Sequence, residues 1–377
     1  MPEVIDNRQE NLLPQSQVFA MHNRKKLWLA IVIALVTLSI PFILYFVRGG
    51  KIGNASLVAS IPGVVTPTPF PFQELTIPYL RNREYKSSLG DLSLVSENGS
   101  YLSYLASYDS DGYQVNGLLL VPTIEQPPGG FPAIVFIHGY IQPTQYQTLE
   151  NYTSYIDYLA SNGFVVFKID LRGHAQSEGE AGGGYYSADY IIDTLNARAA
   201  LQSSDFVDPE RSRRVDPGKI GLWGHSMAGN VVLRSMAARP DIPASVIWAG
   251  AVYTYEDQRK YGINDNSYRP PSNKPQRIRR RQELFDKYGS PSAQSVFWQQ
   301  VAPTNYLSDL EGAIQINHAI DDDVVNIGYS RDLIELLDKT SVPHELHEYP
   351  FGGHNISGVS FNEAMQETVS FFQKYLP

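Results

Sequence analysis

The sequence predicts an α/β fold, a mostly parallel central sheet covered by helices on both faces. Three observations carry this. Apolar runs rich in β-branched residues recur as AIVFI (Ala133–Ile137), FVVFKI (Phe164–Ile169), SVIWAGA (Ser245–Ala251) and AIQIN (Ala313–Asn317). Helical patterns separate several of them, and each run is followed by polar or glycine-containing residues. The chain has 377 residues with 43% apolar content, enough for one large core.

The first element lies ahead of that sheet. Leu27–Val47 reads LWLAIVIALVTLSIPFILYFV, uncharged, and at about 1.5 Å per residue such a helix crosses a hydrocarbon core of roughly 30 Å. Arg8, Arg24, Lys25 and Lys26 precede it and only Arg48 and Lys51 follow closely, so the short N-terminus is expected in the cytoplasm and the bulk of the chain outside. A cleaved signal peptide is the rival reading, with LVAS (57–60) as a cleavage site; the apolar run is longer than such peptides use. Residues 48–71 are rich in Pro, Thr, Gly and Ser without periodicity and read as a stalk. The expected order is thus a cytoplasmic segment (1–26), an anchor in the lipid bilayer (27–47), a stalk (48–71) and a large domain (72–377).

Within that domain, Tyr113–Val121 reads as an early antiparallel strand, with AIVFI next. A helical pattern over Tyr152–Ser161 leads to FVVFKI, and a second over Ser187–Leu201 precedes Lys219–Trp223. A helix after Ser226 stops before Pro240, and HELHEYP (344–350) is the last strand. Between 252 and 312 the alternation lapses, which suits a lid or cap. Its arginines 277, 279, 280 and 281 either grip an anionic substrate or line a solvated helix face.

Charge and composition exclude some functions. Thirty Lys and Arg against 39 Asp and Glu leave −9, a field that repels nucleic-acid backbones. No cysteine is present, so thiolate chemistry and disulfides are out. Four Asn-x-Ser/Thr triplets (Asn54, Asn98, Asn151, Asn355) decide nothing.

Ser226 follows the strand KIGLW and opens a helix, with Gly224 two positions before it. This is the setting of a nucleophile on a sharp turn, although a serine also caps ordinary helices. Ala228 stands where the usual pattern has glycine, and Gly229 follows. A serine hydroxyl needs a base, and the base needs a group to hold its tautomer. The C-terminal part offers both at strand ends: Asp322, with Asp321 and Asp323 as neighbouring alternatives, and His354 between Gly353 and Asn355. The aspartate run lacks the ligand spacing of a calcium site. His344 and His347 read as packing or surface residues, and His138, His174 and His225 as holding turns. The N–H groups of Met227 and Tyr140 are candidate oxyanion donors, the Tyr140 hydroxyl being an alternative to its N–H.

From about Tyr113 onward these residues resemble the α/β-hydrolase superfamily, specifically the catalytic domain of the prolyl oligopeptidase family and its esterase and dienelactone-hydrolase-like relatives. The resemblance rests on FIHGY (136–140), DLRGHAQSEG (170–179), GHSMAG (224–229), HAIDDDVV (318–325) and GGH (352–354). It implies an α/β-hydrolase fold with a Ser226–Asp322–His354 triad and no metal or organic cofactor. Asp322 takes the acid position because it lies four residues after His318 and three before Val325. The segment ahead of the domain is too short for the β-propeller of full oligopeptidases. The expectation is a membrane-anchored serine hydrolase acting on small esters or short peptides. A binding or adhesion protein that keeps the fold without the chemistry is the alternative.

Overall fold

The computed structural model describes residues 70–203, 214–264 and 275–377. The expected anchor (27–47) and nearly all of the expected stalk lie outside the described residues. Among the described residues no helix is long and apolar enough to cross a membrane.

A 3-10 turn at Gln73–Leu75 leads into α1 (Ile77–Asn82), whose capping Thr76 hydroxyl accepts from the Tyr79 N–H. Strands β1 (Ser93–Glu97), β2 (Tyr101–Ser110) and β3 (Tyr113–Pro122) then pair antiparallel in succession. Asp111-Gly112 joins β2 to β3 with φ of 57° and 81°, the left-handed pair that a tight hairpin of matching twist requires.

From β4 (Phe131–Ile137) strand and helix alternate through α2 (Thr153–Ser161), β5 (Val165–Ile169), α3 (Asp189–Ser203), β6 (Val215–His225), α4 (Met227–Ala238) and β7 (Ala244–Trp248). Helices α5 (Tyr255–Tyr261), α6 (Pro275–Tyr288) and α7 (Val296–Val301) follow, with a 3-10 turn at Pro303–Asp309. β8 (Ala313–Ala319), α8 (Gly328–Leu337), β9 (His344–Tyr349) and α9 (Val359–Tyr375) complete the domain.

Among the described residues, nine strands form one sheet in the order β1-β2-β3-β5-β4-β6-β7-β8-β9. The pairs from β5 through β9 are parallel, and the antiparallel hairpins are confined to one edge. β4 lies between β5 and β6, so the winding reverses there, and the crevice beyond the strand ends at such a reversal is where ligands bind in these sheets.

The run AIVFI is apolar throughout because both of its faces are covered. Ala133, Val135 and Ile137 share one core cluster with α3 and α4 residues such as Ile191, Leu195, Val231 and Met236. Ile134 and Phe136 belong to the opposite cluster with Ile156 and Leu159 of α2 and Phe372 of α9. Phe136 also stacks on Trp223 of β6, with centroids 4.0 Å apart.

Several expected boundaries shift, two of them beside Ser226. SVIWAGA ends as a strand at Trp248, because Ala249 turns the chain at a φ of 47°. The strand expected at Lys219–Trp223 begins at Val215 and runs to His225, directly against Ser226. In the segment 252–312, Leu284, Phe297, Trp298 and Val301 join the main core cluster. Arg280 pairs with Glu74, and the Arg281 guanidinium lies 4.5 Å over the Tyr186 ring, so these two arginines engage the protein's own surface.

Candidate active site

Ser226 sits between β6 and α4 with φ 55° and ψ −118°, a backbone conformation that side chains rarely adopt. Its N–H donates to the Trp248 carbonyl at 2.9 Å, and its own carbonyl accepts from the Gly229 N–H at 2.9 Å. Small neighbours make the turn fit. A Cβ on Gly224 would lie 2.6 Å from the Val232 side chain, and one on Gly229 would lie 2.7 Å from the Gly250 Cα. Close approach therefore falls on Gly224 and Gly229, while the methyl of Ala228 is accommodated in the core.

The sheet register carries the other candidates to the same end. Ile137 pairs with Gly224, so Tyr140 and Met227 each stand three positions beyond matched residues on neighbouring parallel strands. Gly224 pairs with Ile247, Ile247 with Ile316 and Ile316 with Leu346, and Asp322 and His354 lie on the loops that leave β8 and β9. Ser226, Tyr140 and His354 are half-buried and Met227 is buried.

Of the three adjacent aspartates, Asp322 is the one bonded to His354. Its Oδ2 accepts from His354 Nδ1 at 2.8 Å, and its Oδ1 accepts from the N–H groups of Val324 and Val325, both at 2.9 Å. Asp321 instead accepts from the Gly353 N–H at 2.8 Å, holding the loop one residue before His354. The Asp323 carbonyl accepts from the Asn264 amide.

Burial pushes the Asp322 carboxyl up, but hydrogen bonds from His318 and His354, the nearby His354 ring and the Val325 N–H outweigh it. They hold it well below the ordinary aspartate value of 3.8. His318 is the contributor the motif reading overlooked as a hydrogen-bond partner. Fully buried, it places Nε2 3.2 Å from Asp322 Oδ2 and 3.0 Å from the Val325 carbonyl, and its Nδ1 faces the Ser330 hydroxyl at 2.7 Å. Its spacing of four from Asp322 at a strand end was the available signal.

The remaining histidines take supporting places. His138 and His174 are buried side by side, with rings 4.8 Å apart. His225 is buried against His354, ring centroids 4.6 Å apart. His344 and His347 pair with Asp338 and Glu345. The DLRGH turn beyond β5 is braced by Arg172, whose guanidinium and N–H engage the fully buried Asp193 carboxylate of α3.

The fold is that of the α/β-hydrolases. Comparison with known proteins agrees with it. Residues 131–271 match the model of the serine aminopeptidase S33 family. Over 130 residues the chain is 30% identical to the bis(hydroxyethyl) terephthalate hydrolase of Streptomyces coelicolor, a stretch covering 34% of this chain and 36% of that protein. The match therefore spans about a third of that relative's length. Among solved structures, an acetyl xylan esterase from Paenibacillus sp. R4 aligns with a TM-score of 0.52 at 18% identity, covering 79% of this chain and 92% of that one. A puromycin-hydrolysing peptidase of Mycobacterium tuberculosis aligns with a TM-score of 0.55 at 18% identity, covering 74% and 40%. The proteins this chain is similar to thus include both esterases and peptidases.

Proposed function

We propose that the protein is a membrane-anchored serine hydrolase that cleaves small carboxylic esters or short peptides through an acyl-enzyme. The observation that carries this reading is the Asp322–His354 hydrogen bond, 2.8 Å long, at the same end of the sheet as the strained Ser226. A carboxylate only accepts, so His354 carries its proton on Nδ1, and Nε2 is left with the lone pair that a base needs.

His354 Nε2 takes the proton of the Ser226 hydroxyl as Oγ bonds to the substrate carbonyl carbon. The carbonyl oxygen gains the negative charge and is held by the N–H groups of Met227 and Tyr140, each such donor being worth about a hundredfold to a thousandfold in rate. The intermediate collapses, His354 returns the proton to the departing alcohol or amine, and the acyl group stays on Ser226. Water, deprotonated by His354, then releases the acid and restores the hydroxyl.

Esters come first as substrates, because bis(hydroxyethyl) terephthalate, after which the Streptomyces relative is named, is an ester. The test is hydrolysis of matched p-nitrophenyl esters and peptide p-nitroanilides by the full-length chain, with Ser226→Ala as the blank. Ester cleavage and fluorophosphonate labelling that vanish in Ser226→Ala support the reading, and activity that survives the substitution refutes it. Amide cleavage dependent on Ser226 assigns the peptidase form.

A further inference from the structure

We propose that His225 is a positioning residue that, through Tyr152, fixes the loop of the base and the turn of the oxyanion donors against one another; this rests on the serine-hydrolase reading. His225 ends β6, next to Ser226. Its Nε2 is 2.8 Å from the backbone carbonyl of His354, and its Nδ1 is 2.8 Å from the Tyr152 hydroxyl. That hydroxyl in turn accepts from the Gly139 N–H at 2.9 Å.

Donor and acceptor roles leave a single consistent arrangement. A carbonyl only accepts, so His225 donates from Nε2, and Nδ1 is the acceptor for the Tyr152 O–H. The chain therefore runs from the Gly139 N–H to Tyr152, from Tyr152 to His225 and from His225 to the main chain of His354. Burial and the neighbouring His354 push the His225 imidazole down to about 3, which keeps it in the neutral form this pattern requires.

Two further features show that the arrangement is built. A Cβ on Gly139 would lie 2.8 Å from the Tyr152 hydroxyl and 2.9 Å from His225 Nδ1, so the turn carrying Tyr140 closes onto this pair only with glycine there. Tyr152 itself stands ahead of α2 at φ 64° and ψ 19°, a left-handed conformation uncommon for a bulky residue. One side chain on the nucleophile's own strand thus spans the two loops whose separation sets where the substrate carbonyl meets base and donors. A shift of about 1 Å in such a placement costs on the order of a hundredfold in rate.

The test uses full-length protein bearing Tyr152→Phe, His225→Ala, His225→Gln or the Tyr152→Phe/His225→Ala pair, assayed on a p-nitrophenyl ester with active sites counted by fluorophosphonate. Tyr152→Phe is expected to lower kcat per labelled site about tenfold to a hundredfold while KM moves less than about twofold. The pair should be no slower than its slower member, because both substitutions break one chain. His225→Gln, whose amide can still donate to the His354 carbonyl, should recover part of the loss. Wild-type kcat per site in Tyr152→Phe, losses that multiply in the pair, or a loss explained by fewer labelled sites would each overturn the positioning role. If Ser226→Ala remains active, the hydrolase reading itself has failed, and this proposal with it. Nitrogen-15 shifts of the His225 ring give a check free of activity: a proton on Nδ1 rather than Nε2 also overturns it.

Discussion

At the scale of single residues, the proposed chemistry turns on the backbone of Ser226 and the donors around Asp322. Asp322→Asn keeps the size of the side chain but presents His354 with an amide, which permits the wrong tautomer. The expected result is a fall of about 10⁴-fold in kcat with the melting temperature little changed, read from ester hydrolysis and a thermal melt. Lys168 supplies a separate test. It is fully buried in β5, donates to the Thr148 and Asn151 carbonyls, and burial drops its ammonium from 10.5 to about 8. Below pH 8 both folded and unfolded chains hold this proton. Between about 8 and 10.5 the unfolded chain binds it more, so this group makes stability rise with pH through that window. Urea melts of wild type and Lys168→Met across pH 7 to 10 should therefore differ in slope, the variant lacking the rise. The triad candidates were legible at this scale because serine, aspartate and histidine each stood at a strand end. His318 and Tyr152 were not, because their roles depend on what a buried side chain touches.

At the scale of elements, the site is held by contacts between strands, helices and turns that tolerate little added volume. In Gly229→Val the new side chain starts 2.7 Å from the Gly250 Cα and 3.0 Å from Ile247, forcing α4 away from β7. A cost of about 1–3 kcal/mol is expected, with activity lost at temperatures where the fold survives, checked by denaturation and ester assay together. The DLRGH turn is held chiefly by the Arg172–Asp193 ion pair, with Asp189 a second, longer contact. Asp193→Ala would leave the buried Arg172 guanidinium without its main partner, an expected loss of about 3–5 kcal/mol measurable by urea denaturation. Apolar runs with both faces covered announced β4, β5, β7 and β8 directly. The β2–β3 hairpin was legible in part: β3 read as a strand, and Asp111-Gly112 marks its turn, but β2 pairs polar with apolar residues and gave no clean alternation. Helices α8 and α9 were not read at all, although α9 buries Ala364, Met365, Thr368, Val369 and Phe372 at helical spacing.

At the scale of the whole molecule, tethering is the prediction with the widest consequence. If residues 27–47 anchor the chain with its N-terminus inside, the full-length protein stays with membranes after carbonate washing, and externally added protease reaches the catalytic domain in intact cells. Release by carbonate would remove the anchor from the reading. By itself the sequence determined the α/β class, the strands at the heart of the sheet, the candidate nucleophile, acid and base, and the exclusion of thiolate chemistry, because each rests on local pattern or on residue type. Only the tertiary structure decided how Asp322 is held between His354 and His318, how Gly224 and Gly229 share the close approaches around Ser226, and that His225, Tyr152 and Gly139 form one chain of hydrogen bonds. Those are contacts between residues as many as 129 positions apart. Local sequence sets which element forms, whereas sheet register and packing set which distant side chains come within bonding distance.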